Sequence, residues 1–455
     1  MLFTTKWLTS IFTHHRGAAN DSIPIDQVST DSRKKARRSL FIPIVGDNFD
    51  GHDYIKDAFN QGAVAAIWDR KKELPSFIPN DFPVFYVDDT LQALHRLATA
   101  YRDKVNPTVI GITGSNGKTT TKDLVASVMK QSYRTHHTEG NLNNHIGVPL
   151  TILSMENDTE ILIVEMGMND FGEMDTLSRI AKPNFAIITN IGESHIAFLG
   201  SRQGIAKAKL EIMNGLRDGA AMIIDGDEKL LEHLHDSDNI ITCGYHKHND
   251  VVIQSHVMNH QDTSFQLSID EQTYRIPLLG KHHAQNATYA IVLGKKLGID
   301  RQAIHKALME IELTSMRFEM MKGKNGVSVI NDAYNASPTS MKAAIDVVKQ
   351  MDGFHNKVLV LGDIFELGEQ SEPLHRSIAD VIEPPINALF TYGNEAETIS
   401  STVQSKYTEM TCQHFTSKQD LLNRLSDYLQ EDTLILFKAS RGMAFESLVK
   451  ELQQK

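Results

Sequence analysis

Residues 113–120, Thr-Gly-Ser-Asn-Gly-Lys-Thr-Thr, place two glycines and, directly after the second, a lysine and a pair of threonines within one short stretch. Glycines let a backbone turn sharply and aim several N–H groups at one anion. A lysine behind them reaches the outer phosphates of a nucleotide, and the hydroxyl that follows suits a hard dication. Gly114, Ser115, Asn116, Gly117, Lys118, Thr119 and Thr120 are therefore candidate ATP-binding residues. The spacing departs from the strict phosphate loop, because one residue too many separates Gly111 from Gly117 and Gly114 lies between them.

Three more side chains have types that fit such a site. Glu165 directly follows the apolar run Ile161-Leu162-Ile163-Val164, and His195 lies in a loop beyond the run at 185–189. With Thr119, a carboxylate and an imidazole suit Mg²⁺ or Mn²⁺. The third is Lys209. Residues 201–216 read as an amphipathic helix with Ile205, Ala208, Ile212, Met213 and Leu216 inward, and Lys209 falls in register with Ile205, Ile212 and Leu216. Lys207 is roughly 160° away around the helix and faces solvent. An unpaired buried ammonium is costly. Either the Lys209 stem packs while its head escapes to water, or burial favours a neutral, nucleophilic amine.

The elements that must position these groups follow from the apolar pattern. Residues 108–112 form a buried strand ahead of the glycine loop, and a helix carrying Leu124, Val125, Val128 and Met129 follows it. Continuous apolar strands alternating with helices indicate a parallel α/β sheet, whose ligands gather beyond the carboxyl ends of the strands. Thr119, Glu165 and His195 all sit at such ends. Residues 1–106 are more mixed, with short strands at 39–44 and 83–87, and Asn106-Pro107 is a turn signal. From Thr314 the strand–helix texture resumes, with strands at 327–330, 357–361, 388–391 and 434–437 and a helix at 340–350. The expected architecture is α/β in three domains, 1–106, 107–313 and 314–455.

Composition excludes several classes. The 455 residues are 41% apolar, enough for packed cores, and the net charge of −11 gives no basic footprint for nucleic acid. The only cysteines, Cys243 and Cys412, lack metal-ligand spacing. No apolar run reaches membrane-spanning length, and the first residues lack the apolar core of a signal peptide. A cytoplasmic protein without membrane insertion is expected.

The glycine loop, the Glu165 strand, and His195 followed by Ala208-Lys209-Leu210-Glu211 resemble the Mur ligase family of peptidoglycan synthesis. Further strings resemble its branch that adds D-alanyl-D-alanine: 50–53 with Gly62-Ala63, 141–149, 331–338, 361–368 and 440–443. These matches cover nearly the whole chain. Another Mur-type amino-acid ligase or a folylpolyglutamate synthase is the alternative, and the strings at 331–338 and 361–368 speak against both.

The resemblance implies a small N-terminal α/β domain holding a UDP moiety, a central P-loop ATPase-like domain and a C-terminal Rossmann-like domain. It implies ATP-dependent amide formation, joining D-alanyl-D-alanine to UDP-N-acetylmuramoyl-tripeptide through an acyl phosphate; a monomer is expected, although nothing in the sequence sets the oligomeric state. Lys118, Glu165, His195 and Lys209 would be catalytic. It further implies that Lys209 is carbamylated by CO₂ into a carboxylate-like ligand. Two Mg²⁺ sites would then draw on Thr119, Glu165, His195 and Lys209. Gly280–Asn286 resembles the adenine-side segment; Asn286 is retained, but His283 stands where the family has Asn. Arg317, Asp332, Tyr334 and Asn335 would complete the ATP side. Ser29, Thr30, Asp31, Ser32 and Arg33 offer hydroxyls and a guanidinium to a nucleotide diphosphate, ahead of a basic cluster at 33–38 that reads as a solvated face. Asn48, Asn141, Asn143, Asn144, Ser440 and Arg441 are further candidates for substrate contact.

Overall fold

The computed structural model describes residues 1–453. The N-terminal part forms a five-stranded sheet in the order His15–Arg16, Val84–Val87, Ala63–Asp69, Ser39–Phe41, Gln27–Ser29. Its strands are parallel apart from the first pair. The strand expected over 39–44 stops at Phe41, two residues before Pro43, which has no N–H to continue a ladder. Val45–Gly46 and Phe49–Asp50 then pair as a hairpin that carries Asn48 at its tip. The helix Thr90–Val105, capped by Asp89, ends at Asn106 in the left-handed region (φ 52°) just ahead of Pro107. This helix packs on the central domain: Tyr101 donates its hydroxyl to the Met155 carbonyl (2.8 Å), and the fully buried Arg102 donates to the Ile180 carbonyl.

The central sheet has nine strands in the order Thr135–His137, Ile161–Glu165, Thr108–Thr113, Phe185–Ile188, Ala221–Asp225, Ile240–Gly244, Val251–Met258, Thr263–Leu267, Thr273–Ile276. The first seven run parallel, as the continuous apolar runs predict, whereas the last two pairings are antiparallel. In that extension burial alternates, Thr273 and Arg275 exposed against Tyr274 and Ile276 buried, the signature of a sheet with one wet face. Alternate strand residues feed two cores. Ile110 and Ile112 pack with the Lys118–Met129 and Lys281–Lys296 helices. Val109, Leu162 and Val164 pack with Ile205, Ala208 and Ile212 from the other face.

The helix expected over 201–216 is α-helical at Arg202–Leu210 and tightens to a 3-10 turn at Glu211–Gly215. Three residues per turn instead of 3.6 shifts the phase. Met213, expected inward, is consequently 41% exposed, while Ile205, Ala208, Lys209 and Ile212 stay buried.

The C-terminal sheet runs Glu319–Lys322, Ser328–Asn331, Thr433–Lys438, Asn356–Gly362, Ala388–Tyr392, Thr411–Phe415, parallel except for its first pair. Ser337 caps the helix Pro338–Gln350 through a reciprocal bond with Ser340, with Pro338 in its first turn. This domain touches the central one at several polar points. Ser337 donates its hydroxyl to Asn116 Oδ1 (2.8 Å), Thr339 donates to Glu193 (2.7 Å), and the Thr314 amide donates to Asp123 (3.0 Å).

Candidate active site

A cleft of about 600 Å³ opens where the carboxyl ends of the central strands face the C-terminal domain. The glycine loop forms its floor. Gly114 has φ +146°, and a Cβ there would stand 1.9 Å from Thr189 Oγ1, so only glycine fits. The loop is clamped to the end of the third strand of the phosphate-loop unit. Ser115 and Asn116 donate their amides to the carbonyl and side-chain oxygens of Asn190 (both 3.0 Å). Thr189 Oγ1 (2.6 Å) and Asn190 Nδ2 (2.9 Å) donate to the Asn116 carbonyl. Gly117 (φ +78°) precedes the helix, and the first helical bond runs from Thr121 to the Gly117 carbonyl (2.8 Å). The amides ahead of Thr121 have no helical acceptor, and the helix dipole adds positive potential there. Lys118 Nζ donates to the Gly114 carbonyl (2.8 Å). Burial holds its pKa below the ordinary lysine value, against the pull of Glu165 and with the push of Arg317.

Glu165 is 3% exposed, with each carboxylate oxygen accepting one hydrogen bond. Its Oε2 accepts from Thr119 Oγ1 and its Oε1 from Asn143 Nδ2, both at 2.9 Å. Lys209 is 2% exposed and outside the cleft lining, within electrostatic reach of Lys118. The side chain as a whole is buried, not solvated along the helix surface. Among the described residues no hydrogen bond or ion pair reaches its Nζ. Burial first, and repulsion from Lys118 second, lower its pKa well below the ordinary value. Both effects favour the uncharged amine, the form that carries a nucleophilic lone pair. His195, in the left-handed region (φ 65°), begins the short helix Ile196–Leu199. Its Nδ1 lies 2.5 Å from Glu366 Oε2 of the C-terminal domain, and that contact lowers the Glu366 pKa. The Nε2 edge is left for a ligand.

The C-terminal domain supplies the opposite wall. Arg317 stacks 4.0 Å over the Tyr334 ring and donates Nη2 to Thr119 Oγ1 (3.1 Å). Asp332 Oδ2 accepts from Lys438 Nζ at 2.6 Å, and Lys438 also reaches the Asn335 carbonyl (3.3 Å). At the other end, Asn286 packs against Gly117, where an added Cβ would come within 3.0 Å of its amide. His282 is pushed down to about 4 by burial. His283 is 5% exposed, and neither of its ring nitrogens has a partner.

The cleft brings together Ser115 to Thr120, Glu165, His195, Asn286, Arg317, Asp332, Tyr334 and Asn335, along with Asn141, Asn143 and Asn144. Within that trio, Asn143 steadies Glu165, whereas Asn144 Oδ1 accepts the Ile146 and Gly147 amides and starts a helix. Ser440 and Arg441 do not line the cleft: Ser440 Oγ accepts the Phe365 amide (2.8 Å), and the half-exposed Arg441 approaches Met316 and Glu446. Ser29, Thr30, Asp31, Ser32, Arg33 and Asn48 sit on the N-terminal domain, outside this cleft. There the Arg33 guanidinium grips both Asp31 oxygens (2.8 and 3.0 Å) instead of standing free. Sequence reasoning missed Asn190, Glu366, Ser337 and Lys438. Lys438 had a signal, because a charged residue ends the buried strand Thr433–Lys438 at its carboxyl end.

Comparison with known proteins places this geometry. Models of the Mur ligase family catalytic domain, the Mur ligase middle domain and the Mur ligase glutamate ligase domain match residues 24–102, 112–294 and 316–441. The UDP-N-acetylmuramoyl-tripeptide–D-alanyl-D-alanine ligase of Bacillus subtilis (strain 168) is 47% identical over 429 residues, covering 94% of this chain and 93% of that protein. A crystal structure of MurF from Acinetobacter baumannii superposes with a TM-score of 0.86 at 31% identity, covering 100% of this chain and 99% of the other. MurF ligase from Thermotoga maritima in complex with ADP gives 0.82 at 26% identity, covering 94% and 96%. The three-domain α/β fold, the loop-floored cleft and full-length similarity lead to one conclusion: the chain belongs to the Mur ligase family.

Proposed function

We propose that this protein is an ATP-dependent ligase that joins D-alanyl-D-alanine to the terminal carboxylate of UDP-N-acetylmuramoyl-tripeptide, the last cytoplasmic step in making the pentapeptide precursor of peptidoglycan. The similarity to the Bacillus subtilis ligase over 94% of the chain carries the reading. No helix among the described residues is long and apolar enough to cross a membrane.

The donor set fits a hard dication. Thr119, Glu165 and His195 offer hydroxyl, carboxylate and imidazole donors beside the orphan amides of the loop. Mg²⁺ held there would neutralise charge on the phosphates. The buried Lys209 amine, biased toward its uncharged form, fits carbamylation: its lone pair adds to CO₂, one proton is released, and a carboxylate-like ligand results.

The loop amides and Lys118 bind the triphosphate, and Arg317, braced on Tyr334, reaches the same region from the C-terminal side. The substrate carboxylate attacks the γ-phosphorus, ADP departs, and an acyl phosphate forms. Lys118 stabilises charge on the transferring phosphoryl group. The free amine of D-alanyl-D-alanine then attacks the acyl carbon, the C–O bond to phosphate breaks, and the amine proton passes to a base. Glu165 and His195, which both line the cleft, are the bases we assign to this step. The contacts from Ser337 and Glu366 to the central domain close the site against water, which would otherwise hydrolyse the acyl phosphate. Phosphate release measured with UDP-MurNAc-tripeptide and ATP should rise strongly on adding D-alanyl-D-alanine. Equal stimulation by a single free amino acid would favour another Mur-type ligase.

A further inference from the structure

A second group of donors lies away from the catalytic cluster and has no part in the chemistry above. One ligand atom from each of Asp227, His246 and His248 lies within 4.8 Å of the other two. The residues come from the loops that follow the parallel strands Ala221–Asp225 and Ile240–Gly244. We propose that Asp227, His246 and His248 form a binding site for a borderline transition-metal dication of the Zn²⁺ type, tying these two loops together.

The surroundings suit such an ion. Asp227 is held in place by the Tyr245 amide (2.6 Å), the His246 amide (3.1 Å) and Asn249 Nδ2 (2.8 Å). His246 Nδ1 lies 3.0 Å from Asp227 Oδ1. His248 donates Nε2–H to the Gly226 carbonyl (2.8 Å), which fixes its ring and leaves the lone pair on Nδ1. Metal-binding imidazoles characteristically make this kind of supporting bond. His235 stacks on His248 at 5.4 Å, and its buried Nε2 has no partner, so a further imidazole stands beside the three donors. Two imidazole nitrogens against a single carboxylate shift the preference to Zn²⁺, Ni²⁺, Co²⁺ or Cu²⁺, away from Mg²⁺, which takes mostly oxygen ligands. Three protein ligands leave a coordination position for water, the usual open zinc arrangement.

The location gives the ion a consequence. Asp225 and Tyr245, from the same two loops, line the cleft at the end where Lys281, His282 and Asn286 lie, and Tyr245 donates its hydroxyl to the Lys281 carbonyl (2.7 Å). An ion bridging Asp227 and His246 would brace that wall.

The test is Zn²⁺ titration of the full-length protein by calorimetry in millimolar Mg²⁺, with thermal melting alongside. Wild type should bind one Zn²⁺ at micromolar concentration or below and melt higher when loaded. H246A/H248A should bind at least 100-fold more weakly and lose the melting shift, while H195A should keep both. ADP binding by H246A/H248A without Zn²⁺ confirms that this variant folds; should it misfold, H248Q replaces it with the same expectation. Absence of stoichiometric Zn²⁺ binding to wild type, or unchanged binding by the folded variant, overturns the site.

Discussion

Replacing Lys209 by methionine separates a structural lysine from a chemical one. The two side chains have similar length, so the exchange removes the amine from a site that is 2% exposed without leaving a large cavity. Burial and Lys118 hold the folded-state pKa well below 10.5. In the window between that folded value and 10.5, the unfolded chain carries a proton that the folded chain lacks. Unfolding therefore takes up one proton, and stability rises with pH through that window by up to ~1.4 kcal/mol per unit from this residue alone. Lys209→Met deletes the contribution. Urea denaturation from pH 7 to 9.5 in CO₂-depleted buffer should show the variant as stable as wild type or more so at pH 7. The difference should narrow as pH rises. Ligase activity should nevertheless fall by roughly 1,000-fold, about 4 kcal/mol in the transition state. A variant destabilised by several kcal/mol with the wild-type pH slope would mean that a charged, paired Lys209 holds the fold together. That result would refute the neutral-amine reasoning.

Two further outcomes follow from the cleft geometry. Arg317→Lys loses both the stack on Tyr334 and the planar fork that reaches Thr119. At ~1–2 kcal/mol the loss should weaken ADP about 10-fold in calorimetry, and an unchanged affinity would remove Arg317 from the nucleotide site. Gly114→Ala drives a Cβ to 1.9 Å from Thr189 Oγ1, whereas Gly172→Ala, with φ +81° and open space around it, carries backbone strain only. The first should lower ADP affinity at least 100-fold. The second should cost roughly 1 kcal/mol of stability and leave ADP binding alone. Equal effects on ADP binding would show that the clamp on the loop is unimportant.

The parts of this site legible in the sequence are those governed by local pattern. Glu165 stands out because a carboxylate ends a continuous apolar strand, and Lys209 because a 3.6-residue period places it among Ile205 and Ile212. Thr119 and Lys118 follow from glycines whose spacing forces a turn. Other features rest on contacts between distant segments and leave no periodic trace. Asn190 clamps the glycine loop from another strand end, and Glu366 meets His195 across a domain boundary. Ser440 sits at a strand end, as a ligand-contacting residue would, yet its hydroxyl is taken by the Phe365 amide. Met213 was misplaced because sequence periodicity does not announce where an α-helix tightens to a 3-10 turn. The antiparallel extension of the central sheet is visible only as alternation over a few residues, too short a span to reverse the reading of a parallel domain.

Formation of an acyl phosphate is the central chemical claim, and oxygen transfer tests it most directly. UDP-MurNAc-tripeptide labelled with ¹⁸O in its terminal carboxylate is turned over with ATP and D-alanyl-D-alanine, and the released phosphate is analysed by mass spectrometry. The account predicts one ¹⁸O atom in each phosphate, carried there when the carboxylate attacks the γ-phosphorus. Phosphate without label, formed while the pentapeptide accumulates, would contradict it.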